Sequence, residues 1–391
     1  MEGFAALGLL SLALYPQKEI PTIDDWQSIY NELSNHAVLT LTASIVNQLN
    51  PPEELRDAWK KRTLQQITNN IQYEYVQKHL PISVPYVILK GTSAAQYYPH
   101  PEYRTMGDID VMTRREDFER ACNDLIQNGF CEIYDHEEHS GRHRSFVKQD
   151  VVIEIHLYFA MLNDPQAAQY LDDLIVENIN NSHVLPDMIN GLTILEHISQ
   201  HLEEGLGLRQ IIDWMMFVDK CLPDDQWPEF ENYAKRIGLD KLAVVATHMC
   251  EIYLGLPQRK WCEEADESTC QQLMNYVLSS GNFGKKMTSD TDISKNVFAS
   301  ARTIKSAFAL LQNQGLINWK AAAKHKVLRP FAWIYQLGRY IVRGLRREQA
   351  ITKLKSEILA AHKRTAMFDM LGVKTSAKGV VVYKDGKYVK E

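Results

Sequence analysis

The sharpest feature of this chain is the segment Gly107-Asp108-Ile109-Asp110-Val111. Its apolar residues indicate a short buried strand, and because side chains alternate along a strand, Asp108 and Asp110 would point to the same face. Two carboxylates at this spacing repel each other unless a hard divalent cation lies between them, and Mg²⁺ prefers carboxylate and phosphate oxygens. From these residues alone, a strand with an acidic solvated face explains the pair equally well.

A turn that could bind phosphate lies upstream, where the apolar run 84–89 ends in Lys90-Gly91-Thr92. The run predicts a buried strand, followed by a turn and the start of a helix. Glycine lets the main chain approach a phosphate closely, and a helix N-terminus offers free N–H groups. Thr92 adds a hydroxyl and Lys90 a point charge. The alternative is a plain strand-to-helix turn, in which the glycine serves the geometry alone.

A third carboxylate stands in residues 151–158, the strongest strand pattern of the chain. Glu154 and His156 share one face of that strand by the same alternation. A carboxylate among apolar neighbours is costly unless it is paired or coordinates a metal. Glu154 is therefore the natural third partner of the two aspartates, although a strand with one solvated face would give the same pattern.

Helices are predicted on both sides of this α/β segment. Apolar spacing indicates helices over residues 1–80, one of them from Trp26 to Leu49, and again from 165 to about 365. We therefore predict an α+β fold, in which a small mixed-sheet core is flanked by N-terminal helices and a larger C-terminal helical region. The predicted divisions are an N-terminal helical segment (1–80), the core (81–185), the C-terminal helical region (186–365) and a basic tail with a β-hairpin turn at Asp385-Gly386 (366–391).

Composition and charge narrow the class of protein. The 391 residues carry a net charge of −6, so the chain as a whole is not built to coat nucleic acid. From Lys320 to Glu391 there are 17 Lys and Arg against 5 Asp and Glu, a balance of +12 that leaves −18 for the rest. Packing of this basic region near the acidic body is favoured, and contact with nucleic acid or a membrane surface stays open. With six cysteines but no CxxC pair, and no apolar stretch of the about 20 residues that cross a bilayer, we expect a cytoplasmic protein.

Other polar residues are weaker candidates for a site. His197 and His201 are four residues apart and share a helix face, but a zinc site would need a third ligand, and none is evident nearby. A polar loop runs from Asp135 to Arg144; it could hold a metal, or it could reach over a triphosphate with Arg142 and Arg144. A solvated hairpin loop is the simpler interpretation of that segment.

Residues 81–160 resemble the nucleotidyltransferase superfamily of polymerase β. That superfamily has a strand, a Gly-Gly or Gly-Ser turn, D-x-D on the next strand and a third acidic residue on a later strand. The chain is most similar to bacterial nucleotidyltransferase-like proteins that carry L-K-G, an arginine before D-I-D, and E-I-H. The matching residues here are Leu89-Lys90-Gly91, Arg104 with Asp108-Ile109-Asp110, and Glu154-Ile155-His156.

The resemblance implies a metal site and a phosphate site. Asp108 and Asp110 would bind Mg²⁺ and the triphosphate, and Glu154 would complete the metal site or deprotonate the acceptor hydroxyl. The implied phosphate contacts are Gly91 and Thr92 through the turn, and Lys90 and Arg104 through their charges. The resemblance also implies a supporting position for His156 next to the metal site. It implies that His201, Arg209 and Asp213 face the cleft, although a role in helix packing explains these three residues equally well.

The implied function is transfer of a nucleotidyl group, expected to be AMP, from an NTP to an acceptor hydroxyl with the help of two Mg²⁺ ions. Two other classes stay open. One is a catalytically silent nucleotide-binding sensor or adaptor. The other is a helical interaction protein whose basic tail contacts nucleic acid or a membrane. No motif indicates whether the acceptor is a small molecule, a sugar, a protein side chain or an RNA end.

Overall fold

The computed structural model describes residues 2–16, 23–133, 141–180, 182–282, 286, 311–312, 315–316, 318–319, 321–322, 325–345, 363–374, 381–384 and 386–390. In these ranges a five-stranded mixed sheet is flanked by helices from both ends of the chain. The predicted α+β class is confirmed. No helix in the ranges just given combines the length and the apolar character that crossing a membrane requires.

The mixed sheet holds the α/β segment together. Its strands are β1 (Tyr86–Leu89), β2 (Ile109–Thr113), β3 (Cys131–Ile133), β4 (His143–Lys148) and β5 (Val151–His156). The short helix α5 (Gly91–Ala95) follows β1. They lie in the order β1-β2-β5-β4-β3, with β2 and β5 parallel and the other neighbours antiparallel. The parallel pairing sets Asp110 opposite Glu154, so the two strands that carry carboxylates are adjacent.

The two faces of this sheet have different neighbours. Ile88 and Ile153 point to one face and pack against α6 (Phe118–Gln127) in an apolar cluster of their own. Met112 points to the other face and joins the main hydrophobic core. Because side chains alternate along a strand, Asp110 shares this second face with Met112. The carboxylates therefore lie between the sheet and the helical body.

The N-terminal helices differ from the prediction in one respect. They are α1 (Glu2–Leu14), α2 (Trp26–Asn35), α3 (Ala43–Val46) and α4 (Glu53–Lys78). The predicted single helix from Trp26 to Leu49 is wrong, because Ala37 has a φ of 57° and turns the chain into 3-10 segments around α3. The indole N–H of Trp59 donates to the carbonyl of Leu39 and the hydroxyl of Thr42, which stabilises this turn through tertiary contacts.

The C-terminal helices follow the prediction closely. They are α7 (Pro165–Glu177), α8 (Asp187–Glu204), α9 (Leu208–Cys221), α10 (Trp227–Ile237), α11 (Asp240–Leu254), α12 (Glu267–Ser280) and α13 (Ala332–Leu345), with a further helical stretch at 363–370. The predicted hairpin is present as β6 (Val381–Lys384) and β7 (Lys387–Lys390). Outside the described residues lie Asp385, residues 299–310 of the predicted C-terminal helical region and residues 134–140 of the polar loop.

One hydrophobic core joins the two helical regions. It contains Leu7 of α1, Leu33 of α2, the fully buried Trp214 and Phe217 of α9, and Tyr388 of the hairpin. The helices that precede the sheet in the chain and those that follow it therefore pack together around one core. The predicted domain boundaries stay a prediction.

Candidate functional site

Three carboxylates meet on neighbouring strands. Asp108 directly precedes β2, Asp110 lies within it, and Glu154 lies on β5 in register with Asp110. One carboxylate oxygen of each lies within 4.8 Å of the other two. The structure thus brings together the acidic residues that the sequence grouped, at a spacing that a divalent cation could bridge.

Asp110 is the most constrained of the three, with a side chain only 1% exposed. Its Oδ1 accepts a hydrogen bond from Lys90 Nζ at 3.1 Å and lies 2.8 Å from His156 Nε2. Its Oδ2 is buried and has no hydrogen-bond partner within the described part of the chain. A buried carboxylate oxygen without a donor is unfavourable, and a coordinated cation is one way to satisfy it.

Two histidines hold the carboxylates in place. His156 Nε2 lies 3.4 Å from Glu154 Oε2 in addition to its contact with Asp110, and His143 Nε2 lies 3.5 Å from Glu154 Oε1. The register of β4 and β5 pairs His143 with His156, which puts both imidazoles on the carboxylate face. By sequence, His143 stood out only as one residue of the polar loop from Asp135 to Arg144, for which a solvated hairpin loop was the simpler interpretation. The signal that could have found it is this register, which the sequence alone does not fix.

Charge and burial give the aspartates different acidities. Repulsion from Asp110, reinforced by burial, raises the pKa of Asp108 to about 6. Burial opposes ionisation of Asp110, but Lys90 and His156 outweigh it and hold the pKa of Asp110 below its usual range. A cation between the two aspartates would favour the ionised form of both, because an opposite charge nearby lowers the pKa of a carboxyl group.

The turn after β1 brings the main chain against the carboxylates. Lys90 has a φ of 48° and Gly91 a φ of 34°, and a Cβ on Gly91 would lie 3.4 Å from the carbonyl oxygen of Asp108. A non-glycine residue with positive φ is strained, and such strain is concentrated at functional sites. The hydroxyl of Thr92 is directed elsewhere, since it donates to Gln77 Oε1 at 2.5 Å.

A cavity of about 260 Å³ opens beside the carboxylates, between the sheet and helices α8 and α9. Lys90, Gly91, Asp108 and Asp110 line it from the sheet side. Glu154 borders the same cluster through its carboxylate contacts but is not among the lining residues. The sheet wall therefore presents carboxylates, one ammonium group and a closely approaching main chain to the same space.

Arginines form much of the remaining wall. Arg104, Arg142 and Arg209 line the cavity, and the first of them is already paired. Arg104 makes a bidentate ion pair with Asp213, with Nε–Oδ1 at 2.6 Å and Nη2–Oδ2 at 2.7 Å. Tyr98 donates to the same Asp213 carboxylate at 2.7 Å. The structure therefore places Asp213 behind the wall, where it anchors Arg104, and not at the cavity surface.

Helix α8 supplies a neutral stretch of the wall. His197, Gln200 and His201 line the cavity from successive turns, and the two imidazole Nε2 atoms lie 2.9 Å apart. Burial lowers the pKa of His197 and lowers that of His201 to about 3, so both rings are uncharged at neutral pH. Neither histidine belongs to a possible metal-ligand group within the described ranges. This pair therefore offers hydrogen bonds and no charge.

Several lining residues were weak or absent in the sequence analysis. Arg142, treated there as part of a solvated loop, donates from Nη2 to the carbonyl of Phe159 at 2.9 Å and reaches the cavity. Gln200 shares a helix face with His197 and His201, and this spacing could have identified it. Met161 follows β5 in a segment without regular structure, where no sequence pattern points to it.

One of the comparisons with known proteins gave a match, to a protein family. A family model described as an uncharacterised nucleotidyltransferase matches residues 23–255, more than half of the chain. The matched span includes the carboxylate cluster, the turn at Lys90 and the α8 and α9 wall. Neither the curated proteins nor the solved structures gave a match.

Proposed function

The chain belongs to the uncharacterised nucleotidyltransferase family, and from this premise we propose that it transfers a nucleoside monophosphate from an NTP to an acceptor hydroxyl and releases pyrophosphate. The family match supports nucleotidyl transfer in general. AMP as the transferred group, two Mg²⁺ ions as cofactors and a hydroxyl as acceptor are our proposal. The observation that carries it is the buried, unpartnered Oδ2 of Asp110 beside the carboxylates of Asp108 and Glu154.

The donor set fits magnesium. Asp108, Asp110 and Glu154 offer hard carboxylate oxygens, which Mg²⁺ prefers together with substrate phosphates. Lys90 and His156 occupy Oδ1 of Asp110 and leave Oδ2 for the ion. When bound, Mg²⁺ would neutralise charge on the transferred phosphoryl group and on the leaving oxygens.

The cationic wall suits a triphosphate. Lys90 stands at the cavity edge against Asp110, and the main chain at Gly91 and Thr92 approaches the same place. We propose Arg142 and Arg209 as the further phosphate contacts. Arg104 has a different role in this proposal, because Asp213 already neutralises its guanidinium and the pair is only 3% exposed. Arg104 would shape the wall on which the phosphates rest.

Glu154 and the α8 residues complete the proposed assignments. Burial opposes ionisation of Glu154, yet hydrogen bonding from His156 holds the pKa of Glu154 below its ordinary value. An ionised Glu154 can ligate the cation or take the proton of the acceptor hydroxyl. His201 and Gln200 would contact the base, the ribose or the acceptor. The location we propose is the cytoplasm, since all six cysteines are free thiols.

The test is release of pyrophosphate and calorimetric binding with each NTP and Mg²⁺. We expect the wild type to bind and turn over one or more NTPs, and Asp108→Asn/Asp110→Asn to lose about 10²- to 10³-fold in turnover, because the charges opposite the developing negative charge are lost with the ion. Asp173→Asn is the matched control, since Asp173 is an exposed carboxylate on α7. Metal-dependent binding without pyrophosphate release would indicate the silent nucleotide-binding module. If the folded wild type binds no NTP, the proposal is wrong.

A further inference from the structure

The C-terminal hairpin β6–β7 reaches the wall of the cavity, although it lies beyond the matched residues 23–255. We propose that Tyr388 of β7 is a positioning residue for the nucleotide site. It acts through Asp172 on residues 159–161, here called the wall loop. This loop includes Met161, and it accepts the hydrogen bonds that hold Arg142 at the cavity. The inference rests on the proposed function, and it makes the hairpin a working part of the site.

The first link joins the hairpin to helix α7. Tyr388 is 8% exposed, and its hydroxyl donates to Asp172 Oδ2 at 2.6 Å and also lies 3.1 Å from the carbonyl oxygen of Ala160. The ring of Tyr383 stacks on Tyr158, directly before the wall loop, with 4.5 Å between centroids. Two hairpin tyrosines thus contact the chain where it enters the wall loop.

The second link joins Asp172 to the main chain of the wall loop. Oδ1 of the buried Asp172 accepts from the amide of Phe159 at 3.1 Å and from the amide of Ala160 at 2.9 Å. Oδ2 also accepts from the amide of Phe159, but at the longer distance of 3.3 Å, so the Tyr388 hydroxyl is its closer donor. A buried carboxylate that loses a donor retains more of its desolvation penalty. Loss of the Tyr388 hydroxyl would therefore weaken the acceptor that fixes these two amides.

The third link joins the wall loop to the cavity. Arg142 donates from Nη2 to the carbonyl of Phe159 at 2.9 Å and from Nη1 to Met161 Sδ at 2.6 Å. The amide of Met161 donates to Glu196 Oε1 of α8 at 2.8 Å. Arg142 and Met161 both line the cavity. A shift of the wall loop would therefore move the guanidinium proposed to contact the phosphates.

A second C-terminal contact lies just past the wall loop. Lys374 forms an ion pair with Asp164 at 2.5 Å, and the Nδ2 group of Asn163 donates to the carbonyl of Lys374 at 2.9 Å. Residues 158–164 are therefore held by C-terminal residues both before and after the wall loop, to which Arg142 donates. This arrangement is more specific than a hairpin that only covers apolar surface.

The experiment compares Tyr388→Phe with Tyr170→Phe in the full chain. The first variant keeps the ring and removes one O–H group. The control removes a hydroxyl of the same helix as Asp172 that contacts Arg236 and not the cavity. With ATP and Mg²⁺ as probe, we expect Tyr388→Phe to raise Kd and KM about fivefold or more. Hydrogen exchange at the amides of Phe159 and Ala160 should become faster, and the control should match the wild type in all three readouts.

A purely structural hairpin gives a different result. If Tyr388→Phe lowers Tm while Kd, KM and exchange at 159–160 stay at wild-type values, the inference is overturned. Should the variant fail to fold, the wild type still decides, because coupling is reciprocal: saturating ATP must slow amide exchange in β7, and absence of that protection contradicts the inference. If the wild type binds no nucleotide, the proposed function fails. Amide hydrogen exchange at Phe159 and Ala160 in Tyr388→Phe then tests by itself whether Tyr388 holds the wall loop in place.

Discussion

The two walls of the cavity use charge in opposite ways. On the sheet wall, basic neighbours hold Asp110 ionised although burial opposes it, and the same is true of Glu154, which adjoins that wall. On the α8 wall, burial keeps His197 and His201 uncharged, and it raises the pKa of Glu196, which is buried behind that wall, to about 7. The sheet wall, together with Arg142 and Arg209, therefore suits a cation and its phosphates, whereas the α8 residues His197, Gln200 and His201 suit hydrogen bonding to a less charged part of a substrate.

The largest expected effect concerns the ion pair that builds the helical side. Asp213→Ala should lower the free energy of unfolding by about 3–5 kcal/mol, because it leaves the buried Arg104 guanidinium unpaired. Arg104→Met/Asp213→Leu should cost clearly less than the single change, since no charge remains buried. Chemical denaturation measures both variants. Equal stability of Asp213→Ala and wild type would show that the pair is not the anchor of this wall.

The next largest effect concerns the raised pKa of Glu196, in contrast to the lowered pKa of Asp110. The folded pKa of Glu196, about 7, lies above the unfolded value of about 4.3, so the folded state holds the proton more tightly. Its contribution to stability is present below about pH 4 and is lost as the pH rises to 7. Glu196→Gln should therefore remove up to about 3 kcal/mol of this pH dependence and be relatively more stable at pH 8. Urea denaturation at pH 4, 6 and 8 measures it, and parallel curves would contradict the assignment.

The smallest expected effect tests whether the sheet wall and the α8 wall contribute separately to NTP binding. Gln200→Ala should raise the Kd for the preferred NTP about fivefold, roughly the loss of one hydrogen bond, and should change the ranking among NTPs. Its dependence on Mg²⁺ concentration should stay that of the wild type, because Gln200 lies on the α8 wall and not in the carboxylate cluster. Calorimetry with each NTP at two Mg²⁺ concentrations tests this. A shifted Mg²⁺ dependence would mean that the walls do not act separately.

The same contrast explains what the sequence could predict. Alternation along a single strand groups Asp108 with Asp110, because that information lies within a few residues. The position of Glu154 opposite Asp110 depends on the parallel pairing of β2 with β5, which alternation does not specify. The ion pair of Arg104 and Asp213 joins residues 109 positions apart, and such a contact depends on how distant helices pack. The roles assigned to all these residues stay predictions.

Tertiary contacts also decide two local details that periodicity misses. The indole of Trp59 binds the turn where a continuous helix from Trp26 was predicted, and apolar spacing carries no sign of that hydrogen bond. The hydroxyl of Thr92 belongs to a motif that suggests phosphate binding, yet this hydroxyl donates a hydrogen bond to Gln77 of α4. Any phosphate contact of Thr92 would then come from its main-chain amide.

In the proposed site, Asp108, Asp110 and Glu154 bind a divalent cation, and this cation in turn binds the nucleotide. The most direct test is calorimetric titration of ATP into wild type and Asp110→Asn, with Mg²⁺ and with EDTA, beside Asp173→Asn as control. We predict binding by wild type and control in Mg²⁺ only, and an affinity at least about 100-fold weaker for Asp110→Asn, a loss near 2.7 kcal/mol. Equal ATP affinity in EDTA, or unchanged affinity in folded Asp110→Asn, would contradict the claim.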